Sequence, residues 1–203
     1  LSPSSAASDV YKRQHLVSPY SKMEFAYKQP KHQDWFDVKV GNVRLNDVDI
    51  PGYFSTKELR VGGLWINDVL LQNLKNRKIP VEPHIVPMIY EGLQKAPVRF
   101  KIDTASVANF SLVYEELPVK GDKPGKLYFT DMNGQFSGLT NIVSYPEQFI
   151  RLHADGNLMG SGHFTATWQL PVDSLYDRFL LDARLDSLDP VSYTHLTLPT
   201  TER

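Results

Sequence analysis

Apolar side chains recur at every second position along much of this chain, and no other feature restricts its possible folds as much. A period of two places successive side chains on opposite sides of an extended backbone, so each such segment is a strand with one dry and one wet face. Val98, Phe100 and Ile102 alternate with Arg99, Lys101 and Asp103. Phe110, Leu112 and Tyr114 share a side, as do Phe164, Ala166, Trp168 and Leu170, opposite His163, Thr165, Thr167 and Gln169. Phe179, Leu181, Ala183 and Leu185 repeat the pattern against Arg178, Asp182, Arg184 and Asp186, and the VDSLYD connection predicts a loose antiparallel hairpin with the preceding strand. Dry faces of this kind must be covered by a second sheet, occupied by a ligand in a groove, or completed by further chain.

Helical spacing is confined to one place, residues 87–95, where Pro87 suits a first-turn position and Met88, Ile89 and Leu93 approximate a helical stripe. KNRKIPVEP before it and PVKGDKPG after Leu117 read as exposed loops, and the glycines of GNLMGSG as a turn or bulge. Residues 139–152 fit neither a clear strand nor a clear helix. VKVGNVRLNDV at Val38–Val48 reappears 21 residues later as LRVGGLWINDV at Leu59–Val69, with Val40, Gly41, Asn46, Asp47 and Val48 matched by Val61, Gly62, Asn67, Asp68 and Val69. Such an echo predicts a recurring strand unit that buries its apolar face by stacking on a neighbour.

The two ends read differently. SSAASDVYKRQ at Ser4–Gln14 can be encoded by an oligonucleotide whose opposite strand, read in another frame, encodes VSYTHLTLPT at Val191–Thr200. Both peptides therefore resemble translations of a transposon-type sequencing adapter joined to the two ends of one DNA fragment. On that expectation residues 1–14 and 190–203 are not native, and residues 15–189 are a fragment of one β-repeat domain with a formal charge of about −2. Tyr193 and His195 then belong to no site.

Composition removes several functions. There is no cysteine, so disulfides and thiolate chemistry are absent. The densest basic run, Lys75, Arg77 and Lys78, is too small to follow a phosphate backbone, which excludes a nucleic-acid footprint. No apolar run approaches the roughly 18 residues of a membrane-spanning helix. His15, His32, His84, His153 and His163 lack any metal-ligand spacing, and Glu115 and Glu116, adjacent on a strand, point to opposite sides and make a poor acid and base pair. Nucleophile elbows, phosphate loops and dinucleotide fingerprints are missing too. The expectation is a non-enzymatic chain without cofactor or metal, and a glycan-processing domain ranks last because no carboxylate pair faces a cleft.

One run of residues suggests a family. FKIDTASVANFSLVYEELPVKGDKPGKLYFTDMNGQFSGLTN places an apolar strand with Ile102 and Asp103 before the Tyr114–Glu116 strand, then a polar hairpin with Pro124 and Gly125, a strand through Phe129 and Asp131, and a closing Leu139–Asn141. Together with LWINDVLLQNLKNRKIP and MGSGHFTATWQLPVDS it resembles the recurring unit of AsmA-like bacterial envelope proteins. The resemblance implies a long curved antiparallel sheet of repeated strand units, an inner-membrane anchor outside this stretch, and a location on the periplasmic side. It also implies phospholipid acyl chains as partners, in lipid transport between membranes or outer-membrane assembly. Candidate groove residues on this reading are Phe100, Ile102, Phe110, Leu112, Tyr114, Phe164, Trp168, Phe179, Leu181 and Leu185. The alternative is a structural or protein-interaction β-module of the envelope whose sandwich buries the same side chains.

Overall fold

A computed structural model describes residues 13–28, 31, 33–80, 89–173 and 178–186. His32, His84, Pro87, Met88, residues 187–189 and nearly all of the adapter-like ends lie outside the described residues. The chain is mainly β. Eight strands follow in sequence order across one sheet: β1 (Gln14–Val17), β2 (Trp35–Val48), β3 (Glu58–Asn76), β4 (Arg99–Leu117), β5 (Gly125–Thr140), β6 (Phe149–Leu158), β7 (Gly162–Pro171) and β8 (Leu180–Asp186). β1 and β8 are its edges, so the sheet is not closed into a barrel.

The sheet is mixed where the sequence suggested antiparallel pairing throughout. β3 and β4 run parallel, and every other neighbouring pair is antiparallel. Parallel neighbours need a crossover of a dozen or more residues, and the link from Arg77 to Val98 supplies it, carrying α3 (Ile89–Gln94). This helix is the described part of the one expected at 87–95. The expected β7–β8 hairpin is present, with Phe164 opposite Leu185 and Trp168 opposite Leu181. Val98–Ile102 and Phe110–Tyr114 are two parts of the single long strand β4, and the ambiguous stretch 139–152 is the end of β5, a loop and the start of β6.

Two further helices escape the sequence reading, each only seven residues long. α1 (Lys22–Lys28) is held by packing: Phe25 and Ala26 join Trp35 and Leu74 in a buried cluster, and the Asn76 side chain donates to the Ala26 carbonyl at 2.7 Å. α2 (Ile50–Thr56) is held by its ends. Asp49 caps it by accepting from the Gly52 amide at 2.8 Å, and Lys57 closes it in the left-handed conformation.

The 21-residue repeat has a physical meaning in the β2–β3 pair. Its two copies pair antiparallel with each other, and each donates a bulge that the other accommodates. Val40 pairs with Val69 and Asn42 with Asn67, which sets Gly41 against the left-handed Asp68 (φ 57°). Asn46 pairs with Gly63 and Val48 with Val61, which sets Gly62 against the left-handed Asp47 (φ 52°). A Cβ on Gly41 would come 2.8 Å from the Asp68 Cβ, and one on Gly62 would come 2.9 Å from the Asp47 Cβ. Glycine and aspartate recur because each copy needs the first to admit the second.

Candidate functional site

Further left-handed residues sit inside β4 and β5, at Asn109 (φ 53°) and Asp131 (φ 53°). Asn and Asp are the side chains that reach this region most readily, since their short polar groups bond locally. Their effect is on phase. An added residue shifts all following side chains to the other face, and so Val107 and Phe110, three positions apart, look the same way.

They look into an open cavity of about 540 Å³ on one side of the sheet. Val40 of β2, Ile66 and Val69 of β3, and Val107, Phe110 and Leu112 of β4 form one part of its wall. Phe129, Met132, Asn133, Gly134 and Phe136 of β5, Leu152 and Ala154 of β6, and Phe164 and Trp168 of β7 form the rest. Apart from Asn133 every lining side chain is apolar or absent, and the rings of Phe129 and Phe164 meet edge to face with centroids 5.6 Å apart. The large lining side chains are half-buried. Among the described residues no second sheet packs over them, so they form an open wall and not the inside of a sandwich.

α3 closes one end. Leu93 packs with Phe136 and Trp168 against the buried Ile150, Leu170 and Val172. Gln94 donates to the Val172 carbonyl at 2.5 Å, and Asn141 donates to the carbonyls of Leu93 at 3.2 Å and Val98 at 2.8 Å. Beyond Leu112, on the same side of β4, Tyr114 donates from its hydroxyl to Glu116 at 2.7 Å, and Arg77 pairs with Glu116 at 3.0 Å. Burial, then the Glu116 carboxylate, push the Tyr114 phenol well above its ordinary pKa. Glu115 turns to the other face and pairs with Lys22 of α1, so the two adjacent glutamates face opposite sides as their spacing requires.

Of the ten residues singled out from sequence, Phe110, Leu112, Phe164 and Trp168 line this cavity. Tyr114 lies next to it in the same phase. Leu181 and Leu185 are the direct partners of Trp168 and Phe164, so they prolong the same face to the open edge, where they are 49% and 45% exposed. Phe179 precedes β8 and is exposed. Phe100 and Ile102 are corrected: they do not line the cavity, because the Asn109 bulge interrupts the alternation that related them to Phe110. Sequence reasoning missed Val40, Ile66 and Val69, which sit inside the repeat, and Met132 and Phe136, which follow the bulge at Asp131. Their signal was apolar spacing on either side of an Asn or Asp.

Among the described residues no group of three or more His, Asp or Glu side chains is placed to hold a metal ion. His15 contacts Asp37 at 2.8 Å and His153 contacts Thr167 at 3.2 Å. No described helix is long and apolar enough to cross a membrane. No protein-family model matches the chain, and no curated protein is significantly similar to it.

Proposed function

We propose that this chain is part of an AsmA-like envelope protein and that its open apolar face holds phospholipid acyl chains. The role is non-enzymatic: transport of phospholipid between membranes or support of outer-membrane assembly, on the periplasmic side of the inner membrane. The observation that carries the reading is the 540 Å³ hollow walled by half-buried aliphatic and aromatic side chains from β2 to β7. Its volume falls within the roughly 300–1,000 Å³ of ordinary ligand sites. An apolar surface of this extent in water is an association hazard unless something covers it, and a flexible acyl chain conforms to a long shallow hollow. The stopper formed by α3 at one end and the polar Tyr114, Glu116 and Arg77 beyond the other suit an amphiphile with its tail toward Trp168.

Native mass spectrometry and lipid extraction of the full chain test this, with Phe110→Asp and Trp168→Asp as lining variants and Phe100→Asp as the out-of-phase control. Phospholipid should co-purify with wild type and Phe100→Asp and be lost from the two folded lining variants. Lipid-free wild type together with a dimer or a captured protein would instead make the face a protein-interaction surface.

A further inference from the structure

The opposite face of the sheet carries a second cavity, of about 590 Å³, with a different chemistry. A twisted sheet is saddle-shaped, so each of its faces is hollow along one diagonal. The register sorts the lining side chains into rows. Ser106 pairs with Gln135, Gln135 with His153 and His153 with Thr167, while Thr104, Ser137 and Arg151 make the adjacent row. The result is a lattice of hydroxyl, amide, imidazole and guanidinium groups about 4.8 Å apart across strands and about 7 Å apart along them. Ser106, Gln135, Thr104, Ser137 and Arg151 make no side-chain hydrogen bond or ion pair to another described residue.

Trp65 stands at one side of the lattice. A Cβ on Gly63 would come 2.0 Å from the indole ring, so the ring lies across the bare backbone of Gly63 and is held in place there. The Arg44 guanidinium is 5.9 Å from the ring centroid, beside the platform and not stacked tightly on it. An ordinary solvated strand face is dominated by charge; this patch is mostly hydroxyl and amide, and its two fixed charges, Asp103 and Arg151, cancel.

We propose that this polar face binds a neutral oligosaccharide, laid across β4 to β7 with one sugar ring against Trp65. An aromatic plane suits the apolar side of a pyranose, and rows of unpaired donors and acceptors suit its hydroxyls. This inference does not depend on what occupies the apolar groove.

Calorimetric titration of the full 203-residue chain with cellohexaose, maltohexaose and chitohexaose tests it. At least one of these probes should bind. Trp65→Ala should weaken that binding about tenfold, Trp65→Phe should restore most of it, and Gln135→Ala should weaken it several-fold. Tyr145→Ala, which removes an exposed aromatic outside both cavities, should leave it unchanged. The proposal fails if none of the three probes binds wild type at millimolar concentration, or if one binds and folded Gln135→Ala retains full affinity. It also fails if Trp65→Ala folds and binds like wild type.

Discussion

Replacing Asn109 by glycine and by alanine separates two accounts of β4, because they predict opposite orders of stability. In an ordinary strand interior glycine is about 0.5–1 kcal/mol worse than alanine, since it gives up more backbone freedom on folding. At Asn109 the backbone has φ 53°, where an L side chain other than Asn or Asp costs roughly 1–2 kcal/mol. Both variants lose the Asn109 side-chain bond to Asp68 at 2.7 Å, an exposed bond worth about 0.5 kcal/mol. Both keep the backbone bond from the Asn109 amide to Asn133. Asn109→Ala should therefore lose about 2 kcal/mol and Asn109→Gly less than 1 kcal/mol, placing glycine above alanine by about 1 kcal/mol. Urea denaturation followed by circular dichroism, with equal slopes for the two variants, measures the difference. Alanine equal to or more stable than glycine would mean that the strand does not bulge at Asn109, and the shared facing of Val107 and Phe110 would lose its cause.

Other perturbations have equally definite outcomes. Leu74 is 1% exposed in the cluster that anchors α1, so Leu74→Ala should cost about 2–5 kcal/mol in the same denaturation experiment. The Tyr114 phenol is raised above its model value of 10.0, so as pH climbs past 10 the unfolded chain loses its proton first and stability falls. Tyr114→Phe should remove that part of the alkaline loss, and ultraviolet titration should find Tyr114 ionising later than an unperturbed tyrosine. Leu181 and Leu185 are exposed on the edge strand β8, so Leu181→Lys should lower aggregation measured by light scattering while the sheet's circular dichroism persists.

The sequence carried the fold wherever alternation ran unbroken. Along β7 and β8 no residue has a positive φ, and there the facing of Phe164, Trp168, Leu181 and Leu185 follows directly from counting by two. Counting failed across Asn109, because a bulge leaves no apolar signature of its own and Asn suits a loop, a cap or an exposed strand position equally well. The parallel β3–β4 pair was within reach: a helical stripe between two strand patterns is the usual mark of a crossover. α1 was not, because KMEFAYK acquires its stability from Trp35 and Leu74, distant partners that local periodicity does not reveal. The polar cavity was hidden for a similar reason, since Trp65, Gln135 and Arg151 become neighbours only through strand register.

The bulges matter most as a set. One extra residue in a single strand would put its later side chains out of phase with both neighbours, and the apolar wall would end there. Here Asp68 of β3 and Asn109 of β4 fall side by side, so Ile66 and Val107 are partners before the seam and Val69 and Phe110 are partners after it. Between β4 and β5 the two shifts cancel: Val107 pairs with Gly134, Phe110 with Met132 and Leu112 with Phe129. Side-chain bonds tie the seam together, from Asn109 to Asp68, from Asn133 to Asp155 at 3.3 Å and from Asn157 to Asp131 at 3.2 Å. Every strand thus breaks its alternation locally while the sheet keeps one apolar face on both sides of the break. Because bulges also bend and twist the strands that carry them, the seam that preserves the phase lets long strands curve into a hollow.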